Sequence, residues 1–455
     1  MENTAKKPSG KALIPFLVFI VIYLGTGIYL NAQGVELAFY QLPAPVAAFA
    51  GIIVAFFMYK GTINEKFTNF VQGCGQEDII IMCCIYLLAG AFATVSKSMG
   101  GVDSTVNLGL TYIPAQFITA GLFVIAAFIS ISTGTSVGSI VALGPIAVGL
   151  ADKGGLGLAL TIAAVVGGAM FGDNLSVISD TTIAATRTQG CEMRDKFKVN
   201  LFIALPAAIV TIILLLIFGR PETVVAMQAY DFNVVKVLPY LFVLVLSLAG
   251  INVFVVLTGG IVLSGAIGMA YGDLTLMTFS QNVYSGFSGM FEIFLLSIFI
   301  GGLAHMFAKE GGLDFILTKI KAKIHNRKSA ELGIAAMVAL TDAATANNTV
   351  AIIIDGSVAR ELAEEYKVDP RRSASLLDTF SCVMQGFIPY GAQLLIAASF
   401  TNGALSAMNI IPLLWYQQLL VISAIASIYI PFADGLIKKN PWDWDKKQAV
   451  KSQKA

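Results

Sequence analysis

Two carboxylates, Asp173 and Asp180, stand in the stretch FGDNLSVISDTT, residues 171–182, among Asn174, Ser176, Thr181 and other hydroxyl residues. The stretch follows directly on the apolar run LALTIAAVVGGAM, residues 158–170. A carboxylate flanked by hydroxyl, amide and backbone oxygens is the shell a small dehydrated cation requires. The carboxylate supplies the compensating charge, and its protonation releases the ion. Three more polar interruptions have the same character: STGTS (132–136), TDAATANNT (341–349) and, after Asp378, CVMQGFIPYGAQ (382–393). Thr133, Thr135, Ser136, Asn174 and Ser176 are the neutral oxygen candidates of the first half of the chain, and Asn347, Asn348 and Thr349 those of the second. Asp342, Asp378, Thr181 and Gln385 extend the set.

Plainer roles compete for several of these residues. Small and hydroxyl residues in membrane helices also serve close packing. Asp180 lies within reach of Arg187, and Asp378 is near enough to Arg371 and Arg372 to be a surface charge. Asp355 reads as a cap or ion-pair partner, and His305 as a packed or interfacial residue. Asp173 has the weakest such alternative, because a carboxylate inside a membrane is costly unless it is paired or solvated.

The elements that must position these groups are membrane helices. Of 455 residues, 56% are hydrophobic and 13% charged, where a soluble domain carries roughly a quarter charged. Helix-length apolar runs recur along the chain, which predicts an all-α polytopic membrane protein. The strand alternation of a membrane β-barrel is absent. The N-terminal segment has lysines and no small-residue cleavage site, so the first apolar run reads as a retained helix. The five cysteines have no metal-ligand spacing and read as structural. There is no nucleotide-binding loop, zinc signature or Ser-His-Asp pattern, and only two histidines, so neither enzyme activity, a cofactor nor a nucleic-acid partner is expected.

The chain also resembles itself. KGTINEKF…GCG…LLAGAFATVSKSMGGVD superposes on YGDLTLMT…SGF…FIGGLAHMFAKEGGLD at an offset of 211, pairing Gly90 with Gly301 and Asp103 with Asp314. TGTSVGSI meets TANNTVAI at an offset of 212, and Gly172 meets Gly386 at 214. The chain therefore divides into a first repeat (1–220), a linker (221–234), a second repeat (235–432) and a basic tail (433–455).

Lysine and arginine favour cytoplasmic loops. They gather at the N-terminus, in loops 60–77, 187–198, 309–328 and 360–372, and in the tail; only Lys97, Lys153, Arg220 and Lys236 fall on the other side. The basic loops of one half match neutral loops of the other, so the repeats are predicted to be inverted, with both termini cytoplasmic. Inverted repeats are the architecture of secondary transporters, which bind near the midplane. About ten transmembrane helices are expected, with two re-entrant hairpins and two broken helices. One hairpin would run from Glu331 to Arg360 with its tip near Thr341–Thr349; the other would tip near Ser132–Ser136.

TGTSVG, followed some thirty residues later by GDNLSVISDTT, resembles the NhaC-type sodium/proton antiporter family, and NNTVAI and FSCVMQGFIPYGAQLL resemble one branch of it. Val137 stands where an aromatic is common and Val177 where proline is usual. The resemblance implies sodium/proton exchange in a bacterial-type inner membrane, a scaffold-plus-transport-domain fold and a homodimer. Asp173 and Asp180 would then bind Na⁺ and H⁺ competitively, both ions being cargo, with the neutral oxygens named above completing the site. Relatives that exchange organic acids such as malate and lactate keep a second reading open. That reading wants a fixed positive charge facing the substrate, and the sequence places no lysine or arginine clearly at membrane depth.

Overall fold

The computed structural model describes residues 8–33, 35, 41–176, 179–221, 231–249 and 251–443. Most of the linker and most of the tail lie outside them. Among the described residues the chain is helical and contains no strand. The first half supplies α1 (Ile14–Ala32), α2 (Ala44–Met58), α3 (Ile63–Cys74), α4 (Glu77–Ser98) and α5 (Gly101–Tyr112). It continues with α6 (Ala115–Thr133), α7 (Ser136–Gly154), α8 (Leu158–Leu175), α9 (Asp180–Gln189) and α10 (Met193–Phe218). The second half supplies α11 (Val234–Leu248), α12 (Val253–Ala270), α13 (Leu276–Gly289), α14 (Phe291–Lys309), α15 (Gly312–Lys321) and α16 (Arg327–Thr345). It ends with α17 (Asn348–Glu365), α18 (Pro370–Phe387), α19 (Ala392–Ser399), α20 (Ala407–Ile410), α21 (Trp415–Tyr429) and α22 (Gly435–Lys439). Among the described residues eight spans are long and apolar enough to cross a membrane, or up to ten with two bent helix pairs counted as one span each, so this is a multi-pass membrane protein.

Packing sorts the helices into two bundles. In the first, α4 lies on α12, α13 and α14, α2 on α1 and α14, and α3 on α14. In the second, α8 lies on α6, α7 and α10, α18 on α16, α17 and α10, and α9 on α17. Contacts between the halves come in pairs related by exchange: α4 with α13 and α3 with α14, then α9 with α17 and α7 with α19.

Glycine sets how closely these helices approach. Gly168 and Gly172 lie on one face of α8, and a Cβ at either would run into a backbone carbonyl of α6, that of Phe123 or of Ala127. Gly121, on α6, has open space beside it. Gly168→Ala should therefore lower stability by about 1–3 kcal/mol, the usual cost of overpacking, while Gly121→Ala should leave it unchanged. Thermal unfolding of the two detergent-solubilised variants compares them directly.

The polar interruptions are where helices stop. In the first half α6 ends on Gly134 in the left-handed region (φ 68°) and Thr135 caps α7, its Oγ1 accepting from the Gly138 N–H. In the second, α16 ends on Ala346 (φ 52°) and Asn347 caps α17 by accepting from the Val350 N–H. Both turns are helix–helix hairpin tips built the same way. The second hairpin is longer than its charges suggest, running from Arg327 to Glu365. The helix continues through Glu331 because that carboxylate is buried and paired with Arg372 and Arg327.

Candidate functional site

Each hairpin tip meets a break in a neighbouring helix. In the first half α8 ends at Leu175 and α9 restarts at Asp180, giving the first break. The Ser176 hydroxyl donates to the Ile131 carbonyl at 2.9 Å, and the Thr182 hydroxyl donates to the Ser176 carbonyl at 2.7 Å, which ties the break to α6. In the second half α18 ends at Phe387 and α19 restarts at Ala392, giving the second break. Tyr390, in that break, donates from its hydroxyl to the Ala343 carbonyl at 2.6 Å. Its ring packs edge-on against Phe16 and Phe19, at centroid separations of 6.0 and 5.3 Å, so this break faces the first bundle.

Asp173 sits buried at the first break. The Ser136 hydroxyl donates to its Oδ2 at 2.7 Å, and the Ser136 N–H, in the first turn of α7, points at the same oxygen from 3.4 Å. A helix N-terminus carries partial positive charge and favours an anion there. The network then crosses into the second half. Gln393 Nε2 donates to the Ser136 hydroxyl oxygen at 3.1 Å, Gln385 Nε2 donates to Gln393 Oε1 at 2.9 Å, and Gln385 Nε2 also reaches the Ala346 carbonyl at 3.3 Å. One hydrogen-bonded chain thus joins the carboxylate, both hairpin tips and the second break.

A second buried charge lies beside the first break. Asp378 is fully buried, not a surface charge, and forms an ion pair with Lys196, itself fully buried. Lys196 also donates to the Asn174 carbonyl at 2.9 Å and to Thr182 Oγ1 at 2.8 Å. Asn200 donates to Asp378 Oδ2 at 3.0 Å and to Asn174 Oδ1 at 2.7 Å. Lys196, assigned to a basic loop by its neighbours Arg194 and Lys198, is therefore an interior cation. Its hydrogen bonds satisfy a carbonyl left open where α8 ends.

Among the described residues several buried oxygens have no hydrogen-bond partner: both of Asp342, Oδ1 of Asp378 and Oε1 of Gln385. The buried Cys382 lies within electrostatic range of Asp378, Asp173 and Asp342, so three of the candidate carboxylates converge on one region.

The remaining candidates are less central. Asp180 is exposed and begins α9, where an acidic side chain suits the helix N-terminus. Thr181 shares a hydrogen bond with Ser179 at 2.6 Å. Thr135 and Asn347 cap helices, and Asn348 Oδ1 accepts from the Thr349 N–H at 3.0 Å. The side chain of Thr133 lies outside the described residues, as do Val177 and Ile178 within the break. Sequence reasoning missed Lys196, Asn200 and Gln393. Only Gln393 left a signal, because it occupies the position that the repeat matches to the neighbourhood of Asp180.

Comparison with known proteins adds to this geometry. The model of the Na⁺/H⁺ antiporter family matches residues 8–220 and 224–433. The malate-2H⁺/Na⁺-lactate antiporter of Bacillus subtilis is 24% identical over 97% of this chain and 98% of its own length. The Na⁺/H⁺ antiporter NhaC of Alkalihalophilus pseudofirmus is 22% identical over 68% of this chain and 73% of its own. The arginine/ornithine antiporter ArcD of Halobacterium salinarum is 25% identical over 87% of each.

Proposed function

The chain belongs to the Na⁺/H⁺ antiporter family, and from that membership we propose that it exchanges Na⁺, and with it Li⁺, for H⁺ at Asp173. The observation that carries this reading is a buried carboxylate, at a helix break, held by the hydroxyl of a hairpin tip at 2.7 Å. One carboxylate cannot hold a proton and a cation together at full strength, so the two ions compete. Moving an unpaired charge through the membrane interior is costly. The site therefore crosses when either ion neutralises it and stalls when empty, which is sufficient for exchange. Asn174, Ser176 and Ser136 would serve as neutral ligands, with Asn347, Asn348 and Thr349 entering from the second tip.

The proposal includes two inverted repeats, residues 1–220 and 235–432, in the cytoplasmic (inner) membrane of a bacterial-type cell, with both termini cytoplasmic and two copies per assembly. The exchange-related packing of the halves and the distribution of lysine and arginine support it. An organic-acid exchanger is the second reading, supported by the name of the malate and lactate relative. Lys196, the buried cation beside the break, is already paired with Asp378 and is therefore not free to meet a substrate carboxylate.

A cation panel in proteoliposomes, read with a pH-sensitive dye and repeated with malate and lactate, tests the assignment. Na⁺ and Li⁺ should each drive proton efflux without an organic acid, and the apparent affinity for Na⁺ should weaken as pH falls. Proton movement that requires malate or lactate would transfer the assignment to the organic-acid reading. Sodium flux with no proton movement would remove exchange altogether.

A further inference from the structure

A cleft of about 280 Å³ opens between the two bundles, away from Asp173. Tyr23 of α1 and Glu292 and Leu296 of α14 form its wall on the first bundle; Ser399 of α19, with Asn402 and Ser406, forms the wall on the second. Its size lies just below the range for drug-sized sites, about 300–1,000 Å³, which suits a smaller solute. A bare sodium ion would fill little of it. The lining mixes apolar with hydroxyl and amide groups, as sites for organic solutes do. Its charge is one-sided: among the described residues Glu292 is the sole charged residue of the lining, which contains no described lysine, arginine or histidine. Glu292 is exposed in the first turn of α14 and has no ion-pair partner among the described residues.

The cleft is also connected to the carboxylate site. Its inner wall is α19, which runs from Gln393, bonded to Ser136, to Ser399. At 1.5 Å per residue that separation is about 9 Å. The Ser399 hydroxyl lies 3.7 Å from the Met290 sulfur at the start of α14, so the two bundles touch at the edge of the cleft. An occupant would contact both bundles and one end of the short helix whose other end joins the Asp173 network.

We propose that this cleft binds a small organic solute through its ammonium group, with Glu292 as the counter-charge and the Tyr23–Leu296 wall against its carbon skeleton. Solutes carrying carboxylates alone are disfavoured, since no described residue of the lining offsets their charge. The proposal goes beyond cation exchange at Asp173 and stands or falls separately from it.

The test is ligand-induced thermal stabilisation of the full-length protein in nanodiscs, with lysine, ethanolamine and malate as probes. Lysine and ethanolamine should bind at least tenfold more tightly than malate. Glu292→Gln should weaken both at least fivefold, and Ser399→Trp, which fills the cleft, should abolish their effect. Asp173→Asn should leave lysine binding intact. Equal or tighter binding of malate overturns the proposal, as does unchanged lysine binding in Glu292→Gln. Loss of lysine binding in Asp173→Asn would move the solute to the carboxylate and also overturn it. A side chain at position 292 that only stabilised the helix start would not discriminate between the probes.

Discussion

Asp173→Asn abolishes Na⁺-dependent proton flux in proteoliposomes and leaves a folded protein with an unchanged or slightly raised unfolding midpoint. Asparagine keeps the shape of the side chain and an oxygen that can accept from the Ser136 hydroxyl, now at 2.7 Å. The chain from Ser136 through Gln393 and Gln385 to Ala346 therefore persists. What disappears is the exchangeable proton and the negative charge. A buried charge is costly to maintain, so its removal does not weaken the fold. Loss of flux should exceed a hundredfold, because an amide neither releases a proton nor neutralises a cation. Both transport directions need measuring, together with a midpoint to exclude misfolding. Unchanged flux would end the assignment of Asp173, and the fully buried Asp342, whose two oxygens lack partners among the described residues, would become the next carboxylate to substitute.

The all-helical architecture was legible because apolar helix-length runs admit few alternatives in a membrane. Both hairpin tips were legible too. Gly134–Thr135 and Ala346–Asn347 are local solutions to ending one helix and capping the next, and local solutions are written in neighbouring residues. Pairing across the fold was not. Lys196 stands next to Asp195 and two residues from Arg194 and Lys198, so its surroundings in the chain are those of a basic loop. Its interior position arises from Asp378, far away in sequence, and from a carbonyl that exists as a partner only because α8 stops. Glu331 misled in the same way: alone it marks the start of the hairpin, and paired with Arg372 it lies inside α16, which begins at Arg327. Asp180 is the converse case. Its place in the motif suggests a ligand, yet restarting the helix at that residue turns the side chain toward solvent.

The second large effect follows from that buried pair. Lys196→Met retains much of the side chain's length and removes its charge. Among the described residues Asp378 then keeps only the Asn200 amide as a partner on Oδ2, and an uncompensated buried carboxylate costs about 3–5 kcal/mol. The unfolding midpoint should fall accordingly, and exchange should be lost. Lys196→Met with Asp378→Asn removes both charges and should return the midpoint close to that of the wild type, since replacing a buried pair is far cheaper than breaking it. Exchange should nevertheless remain below a tenth of wild type in the double variant. The ammonium does more than neutralise Asp378: it holds the Asn174 carbonyl and the Thr182 hydroxyl on the two sides of the break, at 2.9 and 2.8 Å. Without that donor the end of α8 loses its fixed geometry next to Asp173. A wild-type midpoint in the single variant would mean that the pair does not brace the fold. Wild-type exchange in the double variant would mean that the break keeps its shape without Lys196, and that Asp173 and its hydrogen-bonded chain alone define the transport site.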